Sequence, residues 1–139
     1  MIYLTRRYRF AASHRLHNPR LSEADNRRIY GKCNNVGGHG HNYALEVTVA
    51  GEPDPRTGMV VDLRVLDDLV EKEILEPFDH AYLNADGESF GDQVPTTENL
   101  CIEIYRRLQS GFRHGPVTRV RLEETSLNSF EYRGEQGES

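Results

Sequence analysis

At 139 residues the chain fits one domain, residues 1–139, long enough to bury a core unaided and too short for two ordinary domains. Its net charge of −5 argues against a nucleic-acid partner, and the absence of an apolar run approaching roughly 18 residues argues against a membrane span. Two cysteines make no disulfide framework, and Met1 runs straight into Ile2-Tyr3-Leu4 without a signal-peptide pattern, so reduced thiols and a cytoplasmic location are expected.

From about residue 3 to 16 the sequence alternates: Tyr8, Phe10, Ala12, His14 and Leu16 share one face of a predicted strand, and Arg7, Arg9 and Arg15 share the other. Residues 17 to 38 are polar and without periodicity, a length that a compact domain seldom spends on an idle connection. Cys33 stands there beside Lys32 in a glycine-flanked loop, and His17, like His114 further on, reads as a surface residue. From His39 a second strand places His39, His41, Tyr43, Leu45, Val47 and Val49 on one face. A turn across residues 52–58 precedes a short predicted strand, Met59-Val60-Val61, and Asp62 is positioned to cap a helix carrying Leu63, Leu66, Leu69, Val70 and Ile74. Pro77 and the following Phe78-Asp79-His80 mark its exit.

A second helix starts near Pro95-Thr96-Thr97-Glu98-Asn99, carries Leu100, Cys101, Ile104 and Leu108, and stops at Gly111. Strands over about 117–125 and 129–133 close the chain around a turn at Leu127-Asn128, and residues 134–139 form a polar, fraying tail. The expected class is α+β, in the order ββααββ.

In His39-Gly40-His41 two imidazoles project from one side of a strand, and His14 shares their apolar parity. A lone His-x-His is equally a loop with two surface histidines; the third histidine turns the pattern toward a metal site. Three neutral imidazoles suit Zn2+, bound at roughly 2.0–2.1 Å with a fourth position open to water or substrate, which is the arrangement of catalysis rather than scaffolding. Cys33 is a candidate fourth ligand, a small buried hydrophobe or a reactive thiolate; Cys-x5-His is an unusual structural zinc spacing, and neighbouring Lys32 favours the thiolate base. Asp79-His80 pairs a carboxylate with an imidazole, though an ordinary helix exit reads the same. Glu124 shares parity with Val120 and Leu122 and so points inward, either to accept N–H bonds from an aminopyrimidine-type ring or merely to end a strand. Glu98 is by default a first-turn helix acid. The rows Arg7, Arg9, Arg15 and Arg119, Arg121 offer phosphate a positive face or form a solvated one.

Taken together, Phe10-Ala11-Ala12-Ser13-His14-Arg15-Leu16, Tyr30-Gly31-Lys32-Cys33-Asn34-Asn35, His39-Gly40-His41-Asn42-Tyr43, Asp79-His80, Pro95-Thr96-Thr97-Glu98-Asn99 and Glu124-Thr125 resemble the 6-pyruvoyl-tetrahydropterin synthase family over nearly the whole chain. The resemblance implies the tunnelling fold: a four-stranded antiparallel sheet with two helices on one face, trimers closing a twelve-stranded barrel, and a hexamer of two trimers with sites at subunit interfaces. It implies His14, His39 and His41 as zinc ligands, Cys33, Asp79 and His80 as the acid/base group, Glu124 as pterin anchor, and Thr96, Thr97 and Glu98 as the segment beside the pterin ring. The implied substrate is 7,8-dihydroneopterin triphosphate. The long Cys33-to-His39 gap favours the pyruvoyl product over that of the related 6-carboxy-tetrahydropterin synthases of the queuosine pathway, which act on the same substrate. Two other classes compete: a cupin-like site using His-x-His with Glu46, which lacks the second cupin histidine motif, and a non-catalytic zinc-stabilised assembly module, which has no need of Cys33, Asp79 and Glu124.

Overall fold

The computed structural model describes residues 1–113 and 115–135; His114 and residues 136–139 of the expected tail lie outside the described residues. Two 13-residue strands, β1 (Ile2–His14) and β2 (His39–Gly51), pair antiparallel from Ile2↔Gly51 to His14↔His39. Between them runs α1 (Glu23–Tyr30) and a single 3-10 turn, Gly31–Asn34. After β2 come α2 (Leu63–Val70), a π-helical stretch (Glu71–Leu75) and the final turn α3 (Glu76–Phe78), then β3 (Ala81–Tyr82), the short α4 (Gly87–Phe90), α5 (Thr97–Gly111), β4 (Val117–Thr125) and β5 (Asn128–Tyr132).

The α+β class stands, and three finer expectations change. The sheet has five strands in the order β3-β1-β2-β4-β5 and is mixed, because Ala81 and Tyr82 lie parallel to Ala12 and Ser13. The chain leaving α3 is drawn onto the open edge of β1 by the Ala11 backbone, whose N–H donates to Asp79 Oδ1 at 2.9 Å and whose carbonyl accepts from His80 N–H. The element order is richer than ββααββ. Helix α1 has no apolar stripe to betray it: its buried residue is Asn26, whose amide donates to the carbonyls of Asn18, Leu21 and Ser22, while Ser22 Oγ caps the helix by accepting from Asp25 N–H at 3.0 Å. Met59, Val60 and Val61 form no strand, since the loop closes on itself through Asp54 N–H to Met59 O and Gly58 N–H to Asp54 O.

The expected start and exit of the first long helix hold. Asp62 caps α2, its side chain accepting from Arg64 N–H at 2.9 Å, and the helix ends at Phe78 beside Pro77. One face of the sheet packs beneath α2 and α5. Tyr43, Leu45, Val47, Val120 and Leu122 meet Leu66, Val70, Ile74, Leu100, Ile104 and Leu108, all buried, and each such aliphatic side chain stabilises the fold by about 1.5–3 kcal/mol. At the margin of this layer Asp67 of α2 accepts from Arg6 Nε and Nη2 at 3.1 and 2.9 Å and from Tyr8 OH at 2.7 Å. The Arg6 guanidinium holds the Asp67 carboxyl below its ordinary range.

The opposite, helix-free face carries the arginine rows. Glu46 lies there, 3.5 Å from Arg7, 3.0 Å from Arg119 and 3.2 Å from Arg121, so it points away from the histidines and the cupin-like reading lapses. Ile104→Ala on α5 should lower stability by about 2–5 kcal/mol in denaturant unfolding, whereas Arg106→Ala on its exposed side should change it by less than about 0.5 kcal/mol; equal effects would contradict this packing.

Candidate metal and active site

Because His14 faces His39 across the β1–β2 ladder and His41 lies two residues on, the three imidazoles converge on the apolar side of the sheet. Their ring centroids are 4.6, 4.8 and 5.3 Å apart. His14, 1 % exposed, donates from Nδ1–H to the Pro95 carbonyl at 2.8 Å, since a carbonyl can only accept. Its Nε2 is therefore left with a lone pair, 3.1 Å from His39 Nε2. The close approach of the chain into β2 requires glycine: Gly38 has φ +72°, and a Cβ there would sit 2.8 Å from the His14 carbonyl oxygen.

The three ligand atoms lie within 4.8 Å of one another. A tetrahedral ion bound at roughly 2.0–2.1 Å sets its donors about 3.3–3.4 Å apart, close to the separation of the first two. One ring nitrogen on the side of the cluster, His41 Nε2, is buried without a hydrogen-bond partner, an arrangement that costs about 1–3 kcal/mol unless a ligand takes it up. Burial lowers the pKa of both His14 and His41, and so keeps them in the neutral form that a metal requires. The donor set fits Zn2+ with an open position.

Beside the histidines stands Glu124, inserted where the β4–β5 register shifts. Its Oε2 is 3.9 Å from His14 Nε2 and 3.8 Å from His41 Nε2. Thr97 OH donates to Oε2, and Asn128 Nδ2 donates to Oε1 at 3.0 Å. Burial pushes this carboxyl up, but the two hydrogen bonds and the neighbouring imidazoles outweigh it and hold the group below its ordinary range. Tyr43 lies under His41, and burial pushes its phenol up to about 12.

The remaining residues singled out in the sequence are distributed around this centre. Thr97 is buried within it, whereas Thr96 caps α5, accepting from Asn99 N–H at 3.2 Å, and Glu98 is exposed on the first turn. Cys33 is half-buried on the 3-10 turn, and Leu16 N–H donates to its carbonyl at 2.8 Å. Asp79 and His80 sit at the outer edge of β1. Their side chains are 3.7 Å apart, and His80 is 84 % exposed with a left-handed φ of 62°. The dyad is not hydrogen-bonded to the histidine cluster, although His80 and His41 both line a depression of about 310 Å³. Three supports escaped the sequence reading. They are the Pro95 carbonyl, the Asn128 amide and Asn34, which is bonded to His17 and leaves that histidine half-buried rather than on the surface. Only Pro95 carried a signal, as the residue before a helix cap, where a carbonyl lies outside the helical ladder.

Fold and site thus define an α+β protein with a three-histidine, metal-type centre flanked by a carboxylate. The family described as 6-pyruvoyl tetrahydropterin synthase matches residues 3–135, and the chain belongs to that family. A protein of Poecilia reticulata named 6-pyruvoyl tetrahydrobiopterin synthase is 47 % identical over 133 residues, covering 96 % of this chain and 90 % of the relative. The human protein of the same name is 46 % identical over 132 residues, covering 95 % and 91 %. The solved structure of Caenorhabditis elegans 6-pyruvoyl tetrahydropterin synthase superposes with a TM-score of 0.91 at 41 % identity, covering 96 % of each chain.

Removing any one imidazole by His14→Ala, His39→Ala or His41→Ala should abolish stoichiometric zinc uptake measured by elemental analysis; a variant retaining one zinc per chain would contradict the assignment. The sign of the pH effect follows from burial. The folded chain resists protonation at His14 and His41, whereas the unfolded chain protonates near the ordinary histidine value of about 6.5, so metal-free stability should fall as pH drops below about 6.5. Thermal melts across pH 5–8 read this directly.

Proposed function

We propose that this chain is a carbon–oxygen lyase converting 7,8-dihydroneopterin triphosphate to 6-pyruvoyl-tetrahydropterin with release of triphosphate. The observation that carries the reading is the placement of Glu124 within 4 Å of His14 and His41, which sets an anchor for an aminopyrimidine edge beside an open metal-type site. Membership of the family supports the same chemistry. Bound at His14, His39 and His41, Zn2+ supplies Lewis-acid polarisation of hydroxyl groups on the substrate side chain.

Glu124, held ionised by Thr97 and Asn128, accepts N–H bonds from the pterin ring. Thr96 and Glu98 flank Thr97 at the start of α5 and complete the segment along that ring. Cys33, as thiolate, takes a proton from the side-chain carbon next to the ring. The electron pair so released enters the ring imine, and tautomerisation leaves the ring reduced and that carbon a ketone. Loss of the proton from the next carbon then expels triphosphate from the terminal carbon, and the enol left behind tautomerises to the diketone, with His80, oriented by Asp79, relaying the protons. Carbon–oxygen cleavage and tautomerisation balance without an external oxidant or reductant.

The proposal extends to assembly. We read residues 1–139 as one tunnelling-fold domain in a cytoplasmic homohexamer of two trimers, each trimer closing a barrel of strands. Among the described residues no helix is long and apolar enough to cross a membrane. Supporting assembly, β3 covers β1 only at Ala12 and Ser13, β5 forms the other edge of the sheet, and Met1, Ile2 and Tyr3 are exposed apolar residues beside the open edge. An exposed His80 on that edge suits a site completed by a neighbouring copy.

Mass spectrometry of the pterin formed from 7,8-dihydroneopterin triphosphate tests the activity: a pyruvoyl side chain is expected, and either a carboxy side chain or no turnover would overturn the reading. Cys33→Ala should retain zinc while slowing turnover by about 10²–10⁴-fold. Thr97→Val deletes a hydrogen bond that stabilises the Glu124 carboxylate. Its carboxyl pKa should rise, and KM measured against pH should therefore worsen at a higher pH than in the wild type as the solution is acidified.

A further inference from the structure

Among the polar side chains buried in this fold, Asn34 belongs neither to the histidine centre nor to a helix cap. It follows Cys33 on a 3-10 turn of four residues, too short to hold a thiol in place by its own backbone bonds. Proton transfer requires such a group to be held within about 0.5 Å of its productive position, so the restraint must come from outside the turn.

Four hydrogen bonds join Cys33 and Asn34 to the three residues that follow His14. Leu16 N–H donates to the Cys33 carbonyl at 2.8 Å, and Arg15 Nε–H donates to the Asn34 carbonyl at 2.9 Å. The Asn34 amide, which has two N–H donors, gives one to the Leu16 carbonyl at 2.8 Å and the other to His17 Nδ1 at 3.0 Å. Leu16 is thereby gripped through both its N–H and its carbonyl, as in a strand pair, although neither segment belongs to a strand. On the other side of the turn, Asn35 N–H donates to the Lys32 carbonyl and Gly38 N–H to the Asn35 carbonyl, leading directly into His39. The turn is therefore referred to one proposed metal ligand on each side. Closure of the intervening loop does not require Asn34, because Asn26 already ties that loop to Asn18, Leu21 and Ser22.

We propose that Asn34, assisted by Arg15, is a positioning residue that fixes the Cys33 thiol relative to the histidine centre through the Arg15-Leu16-His17 segment. The proposal rests on the reading of Cys33 as the base. A positioning role spends the buried amide on geometry at the chemical step, so its loss falls on kcat more than on KM or on metal content.

The test compares Asn34→Ala, Asn34→Asp, Arg15→Met and Arg15→Lys with Cys33→Ala, measuring zinc content, kcat, KM and the rate at which iodoacetamide alkylates Cys33 in metal-free protein. Cys101 is buried in α5, with its thiol pushed up to about 12, so the alkylation signal belongs to Cys33. Both Asn34 variants should keep one zinc per chain and a near-native KM while kcat falls by about 10–100-fold, the range for loss of a supporting partner. Their alkylation rates should shift severalfold. Arg15→Met should show the same pattern more weakly, and Arg15→Lys, which keeps a donor, should recover most of it. Unchanged kcat and alkylation in the Asn34 variants, with Cys33→Ala inactive, would overturn the positioning role. Full turnover by Cys33→Ala would instead overturn the base reading. Should the Asn34 variants not fold, the Arg15 pair decides, with equal behaviour of Met and Lys counting against the proposal.

Discussion

The structure depends on the register of β1 against β2. The strands pair without interruption from Ile2↔Gly51 to His14↔His39, and successive side chains alternate between the two faces of the sheet. A slip of one residue would turn His39 and His41 toward the arginine side and bring Glu46 inward. What fixes the register is the apolar set that shares the histidines' parity: Tyr43, Leu45 and Val47 are each 0 % exposed beneath α2 and α5. The hydrophobic effect thus determines where the three imidazoles stand, although none of the three contributes much to it.

The sheet also separates charge. On the helix-covered side, His14, His39 and His41 stand around the Glu124 carboxylate, whose hydrogen bonds from Thr97 and Asn128 overcome its own desolvation. That is an environment suited to a cation, and one in which a carboxylate can bind N–H donors. On the other side Glu46 is enclosed by Arg7, Arg119 and Arg121, and Glu131 by Arg119 and Arg133. Glu46 and Glu131 therefore compensate part of the arginine rows, and reduce the phosphate affinity that those rows suggest in the sequence.

The sequence was legible wherever burial imposes a period. His14, His39 and His41 fall on one face by parity alone, Asp62 and the Thr96-Thr97 pair announce their helices, and Glu124 shares the inward parity. It was opaque wherever structure rests on particular hydrogen bonds. Helix α1 buries an asparagine rather than an apolar stripe, β3 is two residues long and held by Asp79 and His80 on the Ala11 backbone, and Asn34 grips Leu16 with no periodic trace. The expected strand at Met59-Val60-Val61 failed for the same reason: its apolar residues satisfy a strand pattern, but its backbone is engaged in a turn around Asp54. Asp79 and His80 stand out by residue type, while their position on an open sheet edge is a property of the fold.

Strand pairing assembles a three-imidazole, metal-type centre beside a carboxylate. Anomalous diffraction at the zinc absorption edge, from crystals grown with the metal, tests it most directly. One strong peak per chain is expected at roughly 2.0–2.1 Å from a ring nitrogen of each of His14, His39 and His41, with Glu124 alongside but not bound to it. A peak held by other residues, or one in which the Cys33 sulfur closes the fourth position, would contradict it.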